Sequence, residues 1–178
     1  MALISKVKSV AVPTGFGCTL GNKGGVGISF HICTSSFCFI TAHLAAHQHA
    51  VRRRTTEFHK ISCDIGRRLG EGANATSTED EEEDDTSDLD ENEAFQSCPP
   101  INPLGELFDF VFWSGDMNYR IHSSREIVDE LLERNRHNKL LQMDQLRIMK
   151  TYNPIFRGFS EGPVNFRPTY KFDSNSGA

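Results

Sequence analysis

The chain has 178 residues, 38% of them apolar and 24% charged, with a formal net charge of −5. That is enough for one domain with a real core, and no apolar run approaches the roughly 18 residues that a membrane span needs. Lysines interrupt the apolar start "MALISKVKSVAVPTG", which argues against a secretory leader.

"GFGCTLGNKGGVG" (15–27) carries six glycines and one lysine ahead of a strand. Glycines let backbone N–H groups approach an anion, and Lys23 adds charge. A purely structural glycine loop is the stronger reading of these residues alone, because the G-K-[ST] of a phosphate-binding P-loop is missing. "VGISFHIC" (26–33) alternates, with Val26, Ile28, Phe30 and Ile32 on one face, which is a strand period. "SFCFITAHL" (36–44) is apolar on both faces, as in a buried strand, and "TSS" joins the two as a hairpin. Residues 45–69 place Phe58, Ile61, Ile65 and Leu69 at helical spacing, and Gly70 is positioned to end that helix.

Residues 71–100 differ in kind. Eleven of the 24 acids lie between Glu79 and Glu93, and the segment has no Lys or Arg. Such a stretch cannot bury enough apolar area to offset its ordering entropy, and it reads as a disordered loop inserted in one domain. Without those eleven acids, 13 remain against 19 Lys and Arg, a balance of +6. A basic body suggests an anionic substrate or surface.

"LFDFVFWSGDMN" (107–118) begins as a third buried strand and stops at Gly115. Ser123 and Glu126 have capping-box spacing before "REIVDELLERN", and 138–150 reads as one more helix. Long apolar strands interspersed with helices point to a layered α/β fold. The five cysteines are odd in number and form no C-x-x-C pair, so neither a disulfide framework nor a zinc ribbon is expected, and a reducing compartment fits.

Chemistry concentrates at two strand ends. In "VFWSGDMNYR" (111–120), alternation puts Asp116 and Asn118 on the same side, a carboxylate to hold water beside an amide to donate to a phosphoryl oxygen. A plain turn is an equal reading, since Gly-Asp and Asn favour turns. His43 ends a buried strand. His47 stands four residues on, but the glutamate of H-E-x-x-H is absent and no third ligand stands out, so zinc is disfavoured. His47, His49 and His59 read as surface helix residues. Arg52, Arg53 and Arg54 read as a solvated face, one that suits an anionic membrane.

Taken together, "GNKGGVGISF", "TAHLAAH" with "RRRTTEFHKI", "FWSGDMNYRI", "MDQL" and "FRGFSEGPVNFRPTYKFD" resemble the inositol polyphosphate 5-phosphatases, from about Thr14 to Asp173. The resemblance implies a DNase I-like fold of two packed mixed sheets flanked by helices. It implies magnesium-dependent removal of the 5-phosphate from phosphoinositides or soluble inositol polyphosphates. By the same resemblance, His43 contacts the scissile phosphate and Asp116 positions the attacking water. Asn118 binds the phosphoryl oxygen, Asn22 and Lys23 border the site, and Tyr170 and Lys171 read the neighbouring 4-phosphate. Set beside the family, residues 1–178 match the middle of a catalytic domain, incomplete at both ends. The magnesium-binding glutamate is expected upstream and a general-base histidine downstream. The expected setting is cytoplasmic, peripheral at anionic membranes, monomeric and without nucleic acid. Two other functions stay open. One is a non-enzymatic module that binds phosphoinositides or partners; the other is a nuclease of the same fold, against which "PTYKFD" speaks.

Overall fold

The computed structural model describes residues 3–15, 22–70, 103–152 and 155–170. The acidic insert, residues 16–21 of the glycine-rich loop and Lys171 lie outside them. Four strands form one mixed sheet in the order β1-β2-β3-β4: β1 (Ile4–Pro13), β2 (Gly24–Ile32), β3 (Ser35–His43) and β4 (Phe110–Asp116). The first three are antiparallel neighbours, and β4 runs parallel to β3. Strand β1 is an element that the sequence reading missed. A bulge between Ser5 and Lys8, with Lys6 at φ 51°, breaks the alternation that would have revealed it.

The long helix α1 (Val51–Leu69) lies on one face of the sheet. Its apolar stripe, Phe58, Ile61, Ile65 and Leu69, is buried as expected, but it starts at Val51 and not at residue 45. The strand face beneath it is made small. A Cβ at Gly25 would stand 2.6 Å from the Ile61 side chain, and one at Gly27 2.9 Å from that of Ile65. These glycines therefore let helix and sheet meet closely. Gly70 does end the helix, though in extended conformation, with its N–H on the Gly66 carbonyl.

Strand β3 is buried on one side only. Cys38, Ile40 and Ala42 join Val12, Leu44, Ile61, Ile65 and Leu104 in the main core. Burial pushes the Cys38 thiol up to about 11, so it acts as a small hydrophobe. The opposite face carries Val26, Ile28, Phe39, Phe110 and Phe112, all more than two-fifths exposed. Phe30, Phe37, Phe39, Phe110 and Phe112 stack across three strands, with Phe39 and Phe112 centroids 4.5 Å apart. The alternating face read from the sequence is thus this open one, and the expectation of a strand covered on both sides does not hold among the described residues. The hairpin turn is Cys33–Thr34, since Ile32 pairs with Ser35. Cys63 is disulfide-bonded, against the expectation of reduced thiols, while Cys33 and Cys38 are free. An odd count excludes complete pairing, not a single bond.

Four short helices follow: α2 (Pro103–Leu107), α3 (Arg125–Glu133), α4 (His137–Gln142) and α5 (Gln145–Tyr152). The N-cap position of α3 is Ser124, one residue later than the capping-box spacing suggests, and its side chain makes no cap hydrogen bond. The single helix expected over 138–150 is two. Asp144 leaves helical geometry to bridge Ile121, the His122 N–H donates to the Met143 carbonyl and the Gln145 N–H to the Arg120 carbonyl. Asp144 Oδ1 then accepts from the Arg147 N–H at 2.8 Å and starts α5.

Candidate active site

The parallel pairing of β3 with β4 sets His43 opposite Asp116. Gly115 makes this pairing possible. Its φ is +116°, and a Cβ there would stand 2.1 Å from the Ala42 carbonyl oxygen. The Leu44 N–H donates to the Asp116 carbonyl at 3.0 Å, extending the ladder past the strand ends. His43 Nε2 consequently lies 3.6 Å from Asp116 Oδ2, with the two side chains 53% and 63% exposed.

On the other side, Lys23 Nζ reaches the same His43 Nε2 at 2.5 Å. An ammonium only donates, so in this contact Nε2 is the acceptor. The Lys23 backbone is held by the Thr14 N–H on its carbonyl. Asn22, Lys23, His43 and Asp116 all line one cleft of 610 Å³, with Val12, Pro13, Thr41 and Gly24 as its walls.

Asn118 stands just behind this cleft. It is not placed by strand alternation, because β4 ends at Asp116 and Asn118 is left-handed at φ 53°. Its N–H donates to Asp116 Oδ1 at 3.0 Å, the bond of a turn that keeps the two residues together. Its side-chain Nδ2 donates to the Leu44 carbonyl at 2.9 Å, and its Oδ1 accepts from Arg120 Nη2 at 2.6 Å. The amide is locked in orientation, with one Nδ2 hydrogen left for a ligand. Tyr170 is not brought to this cleft. It is 82% exposed and lines a separate hollow of 470 Å³ with Arg120, Phe166 and Arg167.

Beneath the site lies a buried polar network, and here the solvated-face reading of the arginine triplet fails for one residue. Arg54 is 0% exposed. Its Nη1 donates to the carbonyls of Ala45 and His47 at 3.0 and 2.7 Å, and its Nη2 to Gln145 Oε1 at 2.7 Å. The guanidinium also sits 4.9 Å from the Tyr119 ring centre. Burial lowers the Arg54 pKa and raises the Tyr119 hydroxyl to about 12. Glu57 Oε2 accepts the Ala45 N–H at 2.6 Å. Gln145 Oε1 also takes the Arg120 N–H at 3.0 Å, and its Nε2 donates to the Gln48 carbonyl at 2.8 Å. The loop leaving His43 and the loop leaving Asp116 are therefore tied to one arginine and one glutamine. Sequence reasoning missed Arg54, Gln145 and Arg120. The signal for Arg54 was present: it precedes Phe58 by four residues, on the apolar stripe.

The cleft holds one carboxylate, Asp116, and among the described residues no three His, Cys, Asp or Glu side chains gather as a metal site. His47 and His49 stack on each other at 5.8 Å in the turn before α1 and not on the helix itself.

Residues 1–178 match the family model described as endonuclease/exonuclease/phosphatase family 2. Synaptojanin-2 from Homo sapiens is 36% identical over 167 residues, 94% of this chain and 9% of that protein. The type II inositol 1,4,5-trisphosphate 5-phosphatase of Mus musculus is 34% identical over 176 residues, 98% of this chain and 15% of that protein. The chain thus spans a small part of the curated relatives it matches. Among solved structures, the inositol polyphosphate 5-phosphatase domain of spsynaptojanin, in complex with inositol (1,4)-bisphosphate and calcium ion, superimposes with a TM-score of 0.69 at 30% identity, covering 98% of this chain and 41% of that one. The chain belongs to endonuclease/exonuclease/phosphatase family 2, among relatives that include inositol 5-phosphatases.

Proposed function

We propose that this chain carries part of the active site of a phosphomonoesterase that removes the 5-phosphate from phosphoinositides, such as phosphatidylinositol 4,5-bisphosphate, or from soluble inositol polyphosphates. The observation that carries the reading is the convergence of Lys23, His43 and Asp116 on one ring nitrogen at paired strand ends, with the fixed amide of Asn118 alongside.

A phosphomonoester carries nearly two negative charges, and its transfer needs those charges countered, a water aligned and the departing oxygen protonated. Lys23 supplies fixed positive charge at the cleft. The free Nδ2 hydrogen of Asn118 donates to a phosphoryl oxygen without adding charge, a contact type worth about 3 kcal/mol in related sites. Asp116 accepts a hydrogen from water and orients it. Protonated His43 donates from Nε2 to the phosphate or leaving oxygen; neutral, it accepts from Lys23. A magnesium ion, when bound, supplies Lewis-acid polarisation of the phosphoryl oxygens. The described residues do not by themselves fit that ion, since Asp116 is the one carboxylate among those lining the cleft. Peripheral contact with an anionic membrane in the cytoplasm belongs to the same reading, supported by the basic balance outside the insert. Tyr170, and Lys171 beyond the described residues, are proposed to read the 4-phosphate.

The test is calorimetric titration of the 178-residue chain with inositol (1,4)-bisphosphate, beside phosphate release from phosphatidylinositol 4,5-bisphosphate in magnesium. Binding should weaken at least tenfold in His43→Ala and Asn118→Ala, about 1.4 kcal/mol, and any phosphate release should vanish in Asp116→Asn. A folded chain whose binding ignores both substitutions would sink the proposal. Binding without release favours the second reading, a phosphoinositide-binding module, which the lone cleft carboxylate supports.

A further inference from the structure

Asn118 can serve a phosphate only with its nitrogen end forward. The two ends of a carboxamide are nearly alike in shape and differ in whether they donate or accept. Two neighbours decide which way this one faces. The Leu44 carbonyl only accepts, and it takes Nδ2 at 2.9 Å. The Arg120 guanidinium only donates. Its Nη2 meets Asn118 Oδ1 at 2.6 Å, while its Nε meets the Asn118 main-chain carbonyl at 3.2 Å. Turned over, the amide would set donor against donor and acceptor against acceptor, and both bonds would be lost. Arg120 is itself anchored through its main chain. Its N–H donates to Gln145 Oε1 at 3.0 Å, and its carbonyl accepts the Gln145 N–H at 2.9 Å. An exposed arginine beside the Tyr170 hollow has an obvious other use, as a charge for the substrate. The geometry speaks against that use. The guanidinium fork grips both oxygens of one residue two positions back, and Arg120 is not among the residues lining the reaction cleft.

We propose that Arg120 is a positioning residue. It turns the Asn118 amide so that the remaining Nδ2 hydrogen, and not Oδ1, faces a phosphoryl oxygen, and it does not itself bind the phosphate. The inference rests on the proposed role of Asn118 as that donor, and it names what fixes the donor's direction. An amide free to turn presents oxygen lone pairs to an anion in one of its two orientations, which repels the anion instead of holding it. A neutral donor is useful in the cleft only while a neighbour that cannot accept keeps its oxygen occupied.

The test has one arm without ligand and one with it, both on the 178-residue chain. The variants are Arg120→Met, which removes the charge and the fork, and Arg120→Lys, which keeps the charge and removes the fork. Each is also made in an Asn118→Ala background. Without ligand, the ¹⁵N–¹H spectrum shows the Asn118 side-chain amide pair, identified by its disappearance in Asn118→Ala. Its exchange with water should be at least about tenfold faster in Arg120→Met, and an unchanged rate overturns the proposal. The second arm is calorimetric titration with inositol 1,4,5-trisphosphate without added metal, so that hydrolysis does not compete. Arg120→Met should weaken binding about tenfold and Arg120→Lys nearly as much. In the Asn118→Ala background neither change should have an effect, because a residue that acts through the amide has nothing left to position. Equal weakening in both backgrounds, or wild-type binding by Arg120→Lys, would show a charge that meets the phosphate directly and would overturn the proposal. Should Arg120→Met lose the dispersed spectrum of a folded chain, Arg120→Lys carries both arms. Asn118→Ala that binds like wild type would remove the donor from the proposed function; the exchange rate then decides the role of Arg120 alone.

Discussion

Arg54→Met separates the buried arginine from its two exposed neighbours. The substitution keeps much of the side-chain volume and removes the charge. Three hydrogen bonds go, to the carbonyls of Ala45 and His47 and to Gln145 Oε1, together with the Tyr119 contact. Replacing an entire buried ionic cluster by apolar groups is often neutral, but here the acceptors stay behind: the buried Ala45 carbonyl loses the Arg54 donor, while the His47 carbonyl keeps the Ala50 N–H and Gln145 Oε1 the Arg120 N–H. Breaking such a cluster from one side costs about 3–5 kcal/mol. Desolvation of the guanidinium, which lowers its pKa, works against the charged form and brings the figure toward the lower half of that range. With a urea slope of about 2 kcal/mol per molar, the midpoint should fall by about 2 M. Trp113 is the chain's single tryptophan, and it packs 4.8 Å from Phe58 and 5.5 Å from Phe156. Its fluorescence therefore reports the junction of α1 with the sheet. Arg52→Ala and Arg53→Ala should each stay within about 0.5 kcal/mol. An Arg54→Met midpoint indistinguishable from those two would refute the network's structural role.

Four other outcomes are expected. Gly115→Ala should cost at least about 2 kcal/mol, since a left-handed residue would also collide with the Ala42 backbone; a urea midpoint within error of wild type would contradict the pairing that sets His43 beside Asp116. Burial lowers the pKa of His59 below the unfolded value of about 6.5, so its contribution is complete above that pH and is lost as pH falls through the folded value. His59→Gln should accordingly flatten the decline in urea midpoint between about pH 7 and 5, and an unchanged slope would count against it. Gly70 adjoins the Leu107 side chain, so joining Gly70 to Ile101 through a short linker in place of 71–100 should leave stability within about 1 kcal/mol; loss of soluble protein would show that the insert packs on the body. The isolated chain should self-associate through its open phenylalanine face, and Phe39→Thr with Phe112→Thr should reduce that association in sedimentation velocity, whereas a monodisperse wild type would exclude it.

What the sequence made legible follows from period and residue type. Phe58, Ile61, Ile65 and Leu69 announced α1 because a helix with one apolar stripe has no other way to bury it. Val26, Ile28 and Phe30 announced a strand, but alternation says only that the two faces differ. In the structure Gly25, Gly27 and Ser29 face the helix and the larger residues lie open. Strand β1 was hidden by its bulge, and the break between α4 and α5 by a bridge to Ile121, a contact that no local pattern encodes. In the site, His43 and Asp116 were legible because each ends an apolar run. Asn118 was found for a partly wrong reason, since hydrogen bonds and not strand alternation place it. Arg54 was misread because three consecutive arginines look like surface, and successive helical residues in fact point about 100° apart.

That misreading bears on how the site is held. His43 and Asp116 are placed by backbone register, which Gly115 permits. Asn118 is placed by hydrogen bonds to Leu44 and Arg120, and Arg120 is steadied in turn by Gln145. Gln145 also receives Arg54, whose other donors hold the loop that follows His43. The two halves of the cleft are therefore joined twice, once through the sheet and once through a buried polar link between α1 and α5. Neither joint is one of the proposed reacting groups, yet either one, if broken, separates the imidazole from the amide. Substitutions at Gly115, which lines the cleft, and at Gln145, which does not, should for that reason both weaken inositol (1,4)-bisphosphate binding, and a misplacement of about 1 Å is enough to do so.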